Sequence, residues 1–190
     1  TCIPPTREAM RAAALFFLLA LFADAYAASL KDLMDALNTK SPVWLLGRNY
    51  NDEENGQNRT CVRWLNKGLG EGSYIYELHY RLDKKDVPKG NLSATLSDVN
   101  GQGVMRVTGS DSGDTITYQL QSWNPENKCF ILIRNVTSKG NMEEGSTAAE
   151  CEVHGWDEKA NGDTSNICKT DYENYCSGQR QEVFLDYECK

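Results

Sequence analysis

Histidine is scarce: 190 residues hold two, His79 and His154. No Cys-x-x-Cys pair accompanies either, so the spacing that zinc ligation needs is missing. A Gly-x-Ser-x-Gly elbow and a Gly-Lys-Ser/Thr phosphate loop are also absent, which removes the commonest nucleophilic and nucleotide chemistries. His79 stands two residues from Glu77 on one strand face, an ordinary surface pairing rather than an acid–base device. The chain therefore reads as a binding protein and not an enzyme, with no cofactor and no metal. Prolines number five and form no linker, and no internal repeat occurs, so nothing divides the chain. Basic residues are outnumbered 20 to 27, for a net charge of −7. That balance argues against nucleic acid or an anionic membrane as partner.

The one long apolar run is Ala12 to Phe22, well short of the roughly 20 residues that a spanning helix needs. With Arg11 before it and Ala25-Tyr26-Ala27 after it, the run has the layout of a secretory leader beginning at Met10. Residues 1–27 are assigned to upstream sequence and leader, including Cys2, and residues 28–190 to a single domain. Six further cysteines follow: Cys61, Cys129, Cys151, Cys168, Cys176 and Cys189. An even set behind a leader implies disulfides, and six cysteines allow about fifteen pairings. Three sequons, at Asn58, Asn91 and Asn135, agree with export and are candidate glycosylation sites.

A short helix comes first, with Ser29 as cap, Asp32 three residues on, and Leu30, Leu33, Met34 and Leu37 on one face. The period then changes to two. Strands are predicted over Val43 to Arg48, Thr60 to Leu65, Ser73 to Leu82, Asn91 to Val99, Val104 to Thr108, Thr115 to Trp123, Cys129 to Val136 and Ala149 to His154. In the third, Tyr74, Tyr76, Leu78, Tyr80 and Leu82 share a face. Short connections rich in turn residues suit hairpins, and eight sequential antiparallel strands close most naturally into an up-and-down barrel with room for about one small ligand. A short helix over Ser165 to Tyr175 and an extended run from Glu182 to Tyr187 complete the predicted all-β fold with minor helix.

Read in order, Trp44 and Tyr50, Thr60-Cys61-Val62, Lys128-Cys129, Cys151-Glu152-Val153, Cys168 with Tyr172, Cys176 and Gly178, Val183-Phe184 and the penultimate Cys189 resemble the tick salivary lipocalins, the secreted histamine-binding-type proteins of blood-feeding arthropods. The resemblance implies an eight-stranded lipocalin barrel stapled by Cys61–Cys189, Cys129–Cys168 and Cys151–Cys176. It also implies a monomer secreted into saliva that sequesters a host mediator without turning it over.

If Cys151 bonds to the outer helix it points out of the barrel, and alternation sends Glu152 and His154 inward. The same reasoning at Cys129 sends Phe130, Leu132 and Arg134 inward. A carboxylate inside an apolar cavity calls for a cation, so Glu152 favours a protonated amine of the histamine or serotonin type, with aromatic walls assisting. The resemblance adds Tyr50, with Asp52 or Glu53 just after it. Two departures from the amine-binding pattern stand out: Phe130 replaces an acid, and Val153-His154 replaces Leu followed by Trp or Tyr. The alternatives are a lipid mediator (leukotriene, thromboxane or fatty acid) meeting Arg134 or His154 in an apolar lumen, and inhibition of a host protein through the loops Asn49 to Arg59 and Gly140 to Ala148.

Overall fold

The computed structural model describes residues 28–108, 114–137 and 149–190. The expected leader, Cys2 and the loop Gly140 to Ala148 lie outside them. The first element is α1 (Leu30–Leu37), closed by a capping box: the Asp32 amide donates to Ser29 Oγ at 3.2 Å, and the Ser29 amide donates to the Asp32 carboxylate at 2.9 Å. Its apolar face buries Leu33, Ala36 and Leu37.

Eight strands follow as a continuous antiparallel meander: β1 (Val43–Arg48), β4 (Thr60–Gly70), β5 (Ser73–Leu82), β6 (Lys85–Val99), β7 (Gln102–Thr108), β8 (Thr115–Asn124), β9 (Cys129–Thr137) and β10 (Glu150–Trp156). β10 pairs back onto β1, closing the barrel and removing its edges. A small hairpin, β2 (Glu53–Glu54) with β3 (Gln57–Asn58), bridges β1 and β4. After β10 come α2 (Lys169–Tyr175), β11 (Gln181–Glu182), which pairs with the end of β1, and α3 (Asp186–Cys189).

The boundaries depart from expectation where local turn chemistry decided. Asp83 and Lys84 adopt φ of 46° and 64°, as a two-residue hairpin turn demands, so β6 starts at Lys85 rather than Asn91. Pro88 lies opposite His79 of β5, and among the described residues the pairing of β6 with β7 begins only at Ser93, so no described ladder bond needs a Pro88 amide. The helix expected from Ser165 begins only at Lys169, since Cys168 sits at φ 52°. The run from Glu182 is extended only briefly before it turns into α3.

Two apolar layers result. Inside, α1 plugs one end of the barrel against Val43, Trp64, Tyr74, Met105, Phe130 and Leu132. Outside, the C-terminal segment covers one wall: Trp44, Leu46, Ile131 and Val153 pack against Tyr172 and Phe184, with the Trp44 and Phe184 rings 5.0 Å apart. All three disulfides, Cys61–Cys189, Cys129–Cys168 and Cys151–Cys176, lie in or beside this outer layer. That is why β1 is buried on both faces and opens with the continuous apolar run Val43 to Leu46.

Gly103 marks where the plug meets the wall. Its amide donates to Ala28 O at 2.8 Å, and a Cβ there would lie 2.6 Å from the Ser29 carbonyl oxygen. Gly103→Ala must therefore displace α1, and urea unfolding is expected to show a loss of about 1–3 kcal/mol. Gly68→Ala, with nothing within 4 Å of its Cβ, is the control and should change stability by less than about 0.5 kcal/mol.

Candidate ligand-binding site

The end of the barrel opposite α1 opens onto a cavity of about 570 Å³. Trp64, Tyr76, Tyr118, Glu152 and His154 form its inner half, and Leu78, Leu92, Val107, Ile116 and Val136 an apolar collar above them. Asp52, Arg59, Lys89 and Asp114 are among the other polar groups that line it.

Glu152 is the centre of the polar floor. It is 3 % exposed, yet three side chains converge on it. The Tyr50 hydroxyl donates to Oε1, His154 Nε2 lies 2.7 Å from Oε2, and Arg134 Nε lies 3.8 Å from Oε1. Arg134 in turn pairs with Glu150, its cross-strand neighbour, and its guanidinium lies 4.8 Å from the centre of the Tyr50 ring. Burial works to raise the Glu152 carboxyl above its ordinary value of 4.5, but the His154 hydrogen bond, the charges of His154 and Arg134 and the Tyr50 hydroxyl outweigh it, and the net shift is downward. Burial and the neighbouring carboxylate push the Tyr50 phenol well up, so it stays a neutral donor. Burial opposes the charge on Arg134, but Tyr50, Glu152 and Glu150 hold its pKa above the usual value.

Because the folded value of Glu152 is depressed, its contribution to stability is complete above the unfolded value of 4.5 and disappears as pH falls through the lower folded value. Unfolding free energy is expected to be insensitive to this group between about pH 7 and 5 and to drop below that range, and Glu152→Gln should show a smaller acid loss. Chemical denaturation across pH measures the difference.

The outward cysteines do orient the neighbouring strands. Glu152, His154 and Arg134 border the cavity, and so do Tyr50 and Asp52. Phe130 and Leu132 face inward but do not reach the cavity: both are fully buried in the layer capped by α1, and the His154 ring lies over Phe130 with centroids 5.1 Å apart. Glu53 is exposed on the β2–β3 hairpin. Asp52 is already committed to Arg48 and Arg59, each at 3.1 Å, which ties that hairpin to the barrel. Asn58, Asn91 and Asn135 are all exposed. Trp64 and Tyr118 went unassigned in the sequence. The signal for Trp64 was present, since the orientation of Cys61 fixes Val62 and Trp64 on β4 as Cys151 fixes Glu152 on β10. Tyr118 follows only from its register opposite Arg134.

An eight-stranded up-and-down barrel, closed by a helix at one end and open to an enclosed cavity at the other, is a lipocalin, an architecture that holds small ligands in its lumen. Residues 21–190 match the tick histamine binding protein family, and the chain belongs to that family. Eleven chains of solved structures match it. Among them, Japanin from Rhipicephalus appendiculatus bound to cholesterol superposes with a TM-score of 0.53 at 15 % identity, over 80 % of this chain and 96 % of that chain. No curated protein sequence matches it significantly.

Proposed function

We propose that this protein is exported into saliva, with glycans at Asn58, Asn91 and Asn135, and captures a protonated aromatic amine of host origin in its barrel without chemical turnover. The observation that carries this reading is Glu152, a buried carboxylate held ionised within a wall of Trp64, Tyr76 and Tyr118. The aromatic faces around this carboxylate favour a cation further.

A cavity of about 570 Å³ is in the range that takes a ligand larger than a bare amine. Its apolar collar supports a second reading, a neutral lipid, in keeping with the sterol bound by Japanin. A fatty-acid carboxylate fits less well, since Arg134 already meets both Glu150 and Glu152. Calorimetric titration of the oxidised protein with histamine, serotonin, cholesterol and leukotriene B4 tests the choice. Amine binding is the expected result, and binding of cholesterol alone would overturn it in favour of the lipid.

A further inference from the structure

His154 fills a slot of unusual composition. The residue is 1 % exposed and stands opposite Phe130 in the β9–β10 register. Its ring stacks on Phe130 at 5.1 Å and 11°, and meets the Trp64 ring at 4.4 Å and 36°. At the ring edge, Nε2 reaches Glu152 Oε2 at 2.7 Å. Two aromatic rings against the imidazole and an anionic acceptor at its rim form a recognition site for a flat heteroaromatic that carries an N–H, and the preference strengthens when that ring is cationic.

We propose that this slot is an imidazole-binding seat which the chain occupies with its own side chain, making His154 the residue that determines ligand specificity. The resident imidazole covers Phe130 and takes one oxygen of Glu152. A ligand entering the lumen is left with the other oxygen, on the side of Tyr50, and with the faces of Trp64, Tyr76 and Tyr118. Free imidazole rings are thereby denied the deepest part of the barrel. The seat stands on the slot geometry alone, and only its consequence for selectivity rests on the amine reading.

The test is chemical rescue. Removing the ring in His154→Ala opens the slot, and millimolar imidazole is expected to bind this variant at least about tenfold more tightly than it binds the wild type. Binding should raise the midpoint of thermal unfolding by roughly 3–6 °C at concentrations well above the dissociation constant. His154→Ala/Glu152→Gln should lose the rescue, and so should His154→Phe, which fills the slot without an N–H. Equal response of wild type and His154→Ala, or full rescue without Glu152, would overturn the seat. Should His154→Ala fail to fold, the wild type still decides: a downfield, slowly exchanging Nε2 proton on His154 in nitrogen-15 NMR supports the seat, and its absence rejects it. In the amine titrations, His154→Ala should shift preference toward histamine over serotonin by about tenfold, since histamine alone carries an imidazole. Rescue without amine binding by the wild type would retain the seat and reject the amine function. Amine binding by the wild type without rescue would do the reverse.

Discussion

Glu152→Gln lowers the affinity of the folded protein for histamine and serotonin by about 10- to 100-fold, the range expected when a hydrogen bond to a charged group loses its charge. The substitution keeps the volume of the side chain, and the Tyr50 hydroxyl can still donate to the amide oxygen in its place. What it removes is the ionised oxygen pair that burial would otherwise forbid and that His154, Arg134 and Tyr50 sustain. Arg134 keeps Glu150 as its partner, so the variant is expected to fold with a loss of about 1–3 kcal/mol. Binding of a neutral sterol, which needs only the collar of Leu78, Leu92, Val107 and Ile116, should be unchanged. Calorimetry on wild type and variant under one buffer reads both ligands. Equal amine affinity in the two proteins would remove Glu152 from the binding site.

The second large effect concerns stability. The Cys61–Cys189 bridge spans a sequence separation of 128 residues and ties α3 to the start of β4. Closing a loop of that length stabilises the folded state by about 4–5 kcal/mol in the chain-entropy account. The double variant Cys61→Ala/Cys189→Ala is expected to lose about 2–5 kcal/mol in guanidinium unfolding. The bridge lies in the outer layer with Trp44, Leu46 and Phe184, on the opposite side of the wall from the cavity. Ligand affinity of the folded fraction should therefore stay within about twofold of wild type, and a larger change would show that the outer layer shapes the lumen.

Much of the barrel was legible in the sequence because a strand has only two faces. A period of two over Ser73 to Leu82 places Tyr74, Tyr76 and Tyr80 on the buried face, and the structure keeps them there. The outward orientation of Cys151 and Cys129 fixed Glu152, His154 and Arg134 as inward for the same reason. Depth along the barrel axis was not legible. Phe130 and Arg134 share a face of β9, yet one lies under His154 in the packed floor and the other borders the cavity. Alternation carries no information on height, which the register between strands and the reach of α1 settle. The bulge in β1 between Leu45 and Gly47 and the bulge in β4 between Thr60 and Arg63 shift that register without a sequence signal strong enough to place them.

The amino-acid sequence by itself determined the order of the strands, the antiparallel closure, the inward and outward faces and, through resemblance, the family. Strand order and antiparallel closure follow from short-range alternation and turn chemistry, while the assignment of faces on the late strands used the disulfide pairing that the resemblance implies. Only the tertiary structure decided that His154 lies against both Trp64 and Phe130, that Arg134 is shared between Glu150 and Glu152, and that the cavity stops above Phe130. These are meetings of side chains from different strands, fixed by barrel closure and by the helix that plugs one end. Alternation along one strand specifies a face, and only the closed barrel specifies which residues from its other walls meet on that face.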